Sequence, residues 1–193
     1  ASSPRDVLEV TGLNSNSIER ILLRGDGQLS FNNWWNVAAN QAFPVLKTLP
    51  TADRQAIWCM SSTLGDPSAG LVCKQVDFDW QKRADGGVEG SVQCLGQGSP
   101  LEWGRMLTGG VDTHTGATNG AAVDDGAATT QGMRAYLQVL GATALTTVTV
   151  AIQDSADGVA GWATILTFAA VAVARSVERK TATGAVRRYL RAI

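Results

Sequence analysis

Strand-period alternation in the first half, short β-branched runs in the second, and a glycine-rich, charge-poor composition predict a mainly β chain. The expected architecture is a barrel- or sandwich-type core with one short helix, followed by a small antiparallel β-sandwich. The 193 residues suffice for one large all-β domain or two small ones. Hydrophobic residues make up 45% and charged ones 17%, and 21 positions are glycine, so a core can be buried beneath a surface of Ser, Thr, Asn, Gln and Gly.

The elements follow in order. Between Gln28 and Trp35, Leu29, Phe31 and Trp35 fall on one side and Gln28, Ser30 and Asn32 on the other. Phe43, Leu46 and Leu49 then take helical spacing, with Asn40 placed to cap the start, Pro44 tolerated in the first turn and Pro50 ending the segment. Ala56 to Met60 is short and apolar and predicts a buried strand, ahead of a turn at Gly65-Asp66-Pro67. Next, Val72, Val76, Phe78 and Trp80 share a face opposite Cys73, Gln75, Asp77 and Asp79. Val88, Val92 and Cys94 alternate with Glu89, Ser91 and Gln93, and Asp85-Gly86-Gly87 between the two runs is hairpin chemistry. An antiparallel pair from Val72 to Leu95 follows.

Gly96 to Gly126 is rich in turn residues and predicts a linker or interface arm, dividing the chain into units 1–110 and 111–193. The second unit holds five strand-like runs: Met133 to Leu140, Thr146 to Ile152, Trp162 to Phe168, Val171 to Arg179 and Ala185 to Ala192. The most regular is Thr147-Val-Thr-Val-Ala-Ile152, with β-branched residues on both faces.

A formal net charge of -1 leaves no bulk positive field to hold a phosphate backbone, which disfavours sequence-independent nucleic-acid binding. Cys59, Cys73 and Cys94 are an odd, widely spaced set with no C-x-x-C pair, so free thiols in apolar runs are expected rather than a zinc site or disulfide framework. The opening Ala-Ser-Ser-Pro-Arg-Asp has no apolar signal core, and no stretch reaches the roughly 18 apolar residues that span a bilayer. A soluble chain is expected, with no membrane partner. His114, the single histidine, lies near Asp112 without a positioned base partner, and neither a nucleophile elbow nor a phosphate loop occurs. Asp154-Ser-Ala-Asp157-Gly and Asp124-Asp125-Gly126 lack the oxygen spacing and closing Glu of a calcium loop and are expected as turns. No enzyme and no cofactor are expected.

A family resemblance rests on the sequence of segments. A strand, the turn Gly25-Asp26-Gly27, the strand Leu29 to Trp35, the helix Asn40 to Leu49, a further strand, and the Val72 to Leu95 hairpin closing on Gly96-Gln97-Gly98 resemble, in that order, the core of siphophage tail tube proteins. Met133-Arg-Ala-Tyr-Leu-Gln-Val, Thr147-Val-Thr-Val-Ala-Ile-Gln-Asp-Ser-Ala-Asp-Gly, Trp162, Ser176-Val-Glu-Arg and Arg188-Tyr-Leu-Arg are similar to the C-terminal part of actinobacteriophage major tail proteins. In that family a further N-terminal strand and hairpin precede the segment resembling Arg5 to Thr11. The resemblance implies a tail-tube-type core and a virion protein assembled in the host cytoplasm into stacked hexameric rings, the conduit for genome ejection. Its implied partners are further copies of itself, the tape measure protein, the tail terminator and tail tip proteins, and viral DNA passing without specific binding.

Assembly of this kind needs sheet edges that are completed by neighbours. The four lysines, Lys47, Lys74, Lys82 and Lys180, offer little edge protection. Asp77, Asp79 and Glu89, on the polar faces of the hairpin, are expected to line an acidic lumen, and Arg187, Arg188 and Arg191 to pair with acidic groups of an adjacent subunit. The rival expectation is a carbohydrate-binding or adhesion module of a tail tip or capsid surface, stacking sugars on Trp34, Trp35, Trp58, Trp80, Trp103 or Trp162. Burial in a core or interface is the ordinary fate of such tryptophans.

Overall fold

The computed structural model describes residues 1–11, 17–39, 41–141, 147–172 and 175–193. It is mainly β, 49% strand and 3% helix, with several antiparallel sheets. Two compact units form: Ala1–Trp58 with Leu71–Glu102, and Cys59–Gly70 with Trp103–Ile193. The sequence division at residue 110 is linear, whereas these units exchange the segment Cys59–Gly70.

In the first unit, β1 (Arg5–Glu9) and β2 (Arg20–Gly25) form a two-stranded antiparallel ribbon. A five-stranded sheet is ordered β3 (Gln28–Trp34), β6 (Val88–Gly96), β5 (Pro67–Lys82) and β4 (Arg54–Cys59), with β7 (Glu102–Arg105) also pairing β5; Cys59, Pro67–Gly70 and Trp103–Arg105 of these strands are counted with the second unit. The β5–β6 hairpin turns where the sequence places it. Gly86 has φ +88, Asp85 Oδ1 accepts the Gly87 N–H at 2.9 Å, and Arg83 N–H donates to Gly87 O at 2.7 Å.

The face assignment along β5 differs from simple alternation. Cys73 pairs with Gly96 and Gln75 with Cys94, but the next partners are Asp77 with Gln93 and Phe78 with Val92. Val76 is therefore the extra residue of a bulge, and it is 49% exposed. Cys73 and Gln75 consequently share the face of Phe78 and Trp80, not that of Asp77 and Asp79. A bulge shifts the side-chain phase by one position, and every assignment on its far side inverts.

The helix is shorter than expected. α1 spans Ala42–Leu46 with Gln41 at the N-cap and no side-chain cap bond; Asn40 lies outside the described residues. Leu49 has φ 42, so it leaves the helical face. Five residues cannot sustain a helix alone, and packing holds this one. Phe43 packs 4.1 Å from the Trp35 ring and 5.6 Å from Trp80, and the Leu46 carbonyl at the helix end accepts both Gln75 Nε2 at 2.8 Å and the Leu49 N–H at 3.2 Å.

The second unit orders β11 (Ala163–Thr167), β10 (Ala151–Ser155), β13 (Tyr189–Ala192) and β8 (Val123–Asp124) in one sheet, and pairs β12 (Ser176–Ala182) with β9 (Met133–Val139) in another. Ala135, Ile152, Leu166, Phe168, Val186 and Leu190, drawn from both, share one buried cluster. The five strand-like runs correspond to β9 through β13 with shifted ends; Thr146 and residues 173–174 lie outside the described residues. The most regular run is the least well matched. β10 begins at Ala151, and Val148 makes only an isolated bridge to Val171. The β10–β11 ladder ends at Ala151 paired with Thr167; before it Val150 O accepts the Phe168 N–H at 2.9 Å and Val148 exchanges two bonds with Val171, so pairing there is interrupted and strand propensity alone does not make it regular. Among the described residues no helix is long and apolar enough to cross a membrane.

Candidate functional site

Beyond the bulge, regular pairing gathers the polar residues of three strands. Asp79 is opposite Ser91, which is opposite Asn32; Gln81 is opposite Glu89, which is opposite Trp34; Asp77 is opposite Gln93. Directly opposed residues share a face, so Asp77, Asp79 and Glu89 are brought together with Asn32, Trp34, Ser91 and Gln93. Asn32, Asp79, Gln81, Arg83, Glu89 and Ser91 line a shallow open depression on this surface. Arg83 is ion-paired to Glu89 and lies 5.8 Å from the centre of the Trp34 ring, which is 65% exposed. Asp79 accepts a 3.0 Å bond from Gln81 Nε2, and Asp77 accepts the Phe78 N–H at 2.8 Å. Three carboxylates stand against the Arg83 guanidinium, and Lys74, on the same face by register, is ion-paired to Asp53, so this face remains acidic.

The opposite face of the same strands is apolar. Leu29, Val92, Cys73 and Cys94 are buried there, and Trp35, Phe43, Phe78 and Trp80 form a connected aromatic cluster beneath α1.

The β1–β2 ribbon has no buried side at all. Val7 pairs with Leu22 on one face and Leu8 with Ile21 on the other, and these four are 48%, 61%, 51% and 51% exposed. Leu23 is also exposed. Strand alternation usually hides one face, and here apolar side chains stand on both. The segment order expects a strand just before the Gly25-Asp26-Gly27 turn, where β2 lies, but period-two alternation marks neither β1 nor β2, because apolar residues occupy consecutive positions.

The three C-terminal arginines are engaged within their own unit. Arg187 Nε and Nη2 donate to Asp154 Oδ1 at 2.9 and 2.6 Å, its backbone N–H takes Oδ2 at 2.8 Å, and Nη1 reaches Gly161 O at 2.8 Å. Arg188 grips both Asp124 oxygens at 2.7 and 2.6 Å. Arg191 donates twice to Gln153 Oε1 and lies 4.3 Å from the Trp162 ring centre. Contacts inside the subunit thus suffice to position all three cations.

These partners set the local ionisation. Burial would raise the Asp154 carboxyl, but the Arg187 hydrogen bonds and charge outweigh it and hold it below its ordinary value. The Arg188 guanidinium, helped by the Gly126 amide, brings Asp124 down to about 2. The amides of Ala160 and Val159, then the Ser155 hydroxyl, lower Asp157.

The Asp154–Asp157 turn is held by its own hydrogen bonds and by Arg187. Asp157 Oδ1 accepts from Val159 N, Ala160 N and Ser155 Oγ, while both Asp154 oxygens face Arg187. Among the described residues no group of three or more His, Cys, Asp or Glu could hold a metal ion. His114 sits between Thr118 Oγ1 at 2.8 Å and Asp112 Oδ2 at 3.7 Å, all three exposed. None of the tryptophans belongs to the buried core, and Trp34, Trp35, Trp58 and Trp103 are exposed. Comparison with protein-family models, curated proteins and solved structures finds no match to this chain.

Proposed function

We propose that the chain is a self-assembling structural subunit, the tail tube protein of a long-tailed bacteriophage, acting by assembly rather than catalysis. The observation that carries this reading is the β1–β2 ribbon with apolar side chains on both faces. A two-stranded ribbon is marginal by itself, and its two faces can be removed from water only between other surfaces. Copies of the same chain supply such surfaces in a ring, where head-to-tail contacts close on themselves.

The finer architecture belongs to the same proposal: a tail-tube-type barrel or sandwich core, then a small β-sandwich. The acidic face bearing Asp77, Asp79 and Glu89 fits a channel wall that repels phosphate, so DNA slides without being held. By the resemblance, the tape measure, tail terminator and tail tip proteins are the further partners, in a virion assembled in the host cytoplasm.

Negative-stain microscopy of the purified chain tests this. Rings or long tubes are expected, and a monomer that stays dispersed at high concentration overturns the reading. Trp34, 65% exposed beside Asn32, Gln81 and Ser91, favours carbohydrate binding as the second reading. Retention of that monomer on a polysaccharide column, lost in Trp34→Ala, would establish it.

A further inference from the structure

The two buried cysteines are neighbours. The bulge-free end of the hairpin pairs Cys73 with Gly96 and Gln75 with Cys94, which places Cys73 and Cys94 diagonally on adjacent strands and on one face. Cys73 is 0% and Cys94 6% exposed, so the two thiols are buried on the same face of the sheet. Diagonal neighbours stand roughly 7 to 8 Å apart at Cα, just beyond the span of a relaxed disulfide, so closing a bridge draws β5 and β6 together and leaves it strained and easily reduced. Cys59 is exposed and stands apart from the pair.

We propose that Cys73 and Cys94 are a redox site, a dithiol that a low-molecular-weight disulfide converts to a reversible staple between β5 and β6. The mutual interaction of the two thiols pushes Cys73 up, with burial adding to it, and brings Cys94 below the ordinary thiol value. Cys94, paired with Leu29 of the sheet-edge strand β3 while Cys73 lies one strand further in, is the thiol reached first and makes the attack as its thiolate. It displaces one thiolate from the small disulfide and forms a mixed disulfide; Cys73 then attacks the Cys94 sulfur and expels the second. The two protein thiol protons end on the two small thiols, two electrons having passed to the oxidant. Entry requires local opening, for which the sheet-edge strand β3, whose Leu29 faces Cys94, is the nearest unit. The consequence is a first unit whose central hairpin is stiffened when the chain moves from reducing to oxidising surroundings.

The test uses the full chain carrying Cys59→Ser, titrated with oxidised glutathione, blocked with iodoacetamide and digested. The expected product is one peptide pair joined through Cys73 and Cys94, retaining no glutathione and reverting with dithiothreitol. Its unfolding temperature should exceed that of the dithiol form by about 5 to 10 °C, the gain expected for closing a loop of roughly 20 residues in a chain this size. Adding Cys73→Ser should trap glutathione on Cys94. Wild-type chain with Cys59 pre-blocked by N-ethylmaleimide should reproduce the cross-link without any substitution. Both thiols still alkylatable after oxidation, or glutathione held on Cys94 while Cys73 remains free in the Cys59→Ser chain, overturns the proposal.

Discussion

The indole of Trp80 lies against the backbone of Gly90, its cross-strand partner, so closely that a Cβ at Gly90 would fall 2.5 Å from Cε2 of the ring. The same indole is 5.3 Å from Trp35 and 5.6 Å from Phe43, so it cannot retreat without disturbing the cluster that holds α1. Gly90→Ala should therefore destabilise the first unit by about 1 to 3 kcal/mol, the usual cost of overpacking. Denaturant unfolding measures it, and a double-mutant cycle with Trp80→Leu should recover most of the loss. Full additivity would show that the ring is not the obstacle.

Acid should weaken the second unit before the first. Asp124, Asp154 and Asp157 all titrate below their ordinary value of 3.8, Asp124 at about 2. A carboxyl depressed in the folded state stabilises that state above its unfolded value and loses the contribution as pH falls through the folded value. Thermal unfolding should be nearly flat from pH 7 to 5 and should fall steeply from about pH 4 toward 2. Asp124→Asn should shallow that fall. Arg187→Met, which leaves the Asp154 carboxylate buried without its partner, should lower stability at neutral pH more than Asp154→Asn does. An Arg187→Met chain as stable as wild type would sink this account.

Local signals carried the hairpin and its polar end, and tertiary ones decided the rest. Asp85-Gly86-Gly87 and the alternation after Asp77 are read directly, because turn chemistry and period-two burial are properties of neighbouring residues. The bulge at Val76 carries no side-chain mark, so Cys73 and Gln75 were assigned to the wrong face and the Cys73–Cys94 proximity stayed hidden. Thr147 to Val150 has high strand propensity but no continuous partner strand. The partners of Arg187 and Arg188 lie 33 and 64 residues away, a separation at which charge pattern alone selects no pair.

The ribbon can be tested without touching either sheet. Leu22→Asn and Ile21→Asn alter opposite faces of β1–β2 at sites 61% and 51% exposed, so the chain should keep its circular dichroism and unfolding midpoint. Burying the remaining exposed part of such a side chain contributes on the order of 1 kcal/mol per contact. The concentration needed for assembly should rise about fivefold for each single substitution and on the order of tenfold or more for the pair. Sedimentation against concentration reads this directly. If only one face matters, one substitution will act and the other will not; if neither acts, the ribbon is not the assembling surface.

The acidic face gives the most specific consequence of the proposed channel. Asp77 and Asp79 are exposed and bonded only to a neighbouring amide and to Gln81, so Asp77→Lys with Asp79→Lys should cost the fold about 0.5 kcal/mol or less each and leave tubes intact. In every subunit two carboxylates become two ammonium groups, and a wall that repelled phosphate attracts it. Virions carrying the pair should eject DNA more slowly in low salt. The defect should shrink as salt rises, since the screening length falls from about 10 Å at 0.1 M to about 3 Å at 1 M. A structural lesion would slow ejection at all salt concentrations, and an outward-facing acidic patch would leave it unchanged. Single-particle ejection kinetics at two ionic strengths therefore separate a channel wall from either alternative.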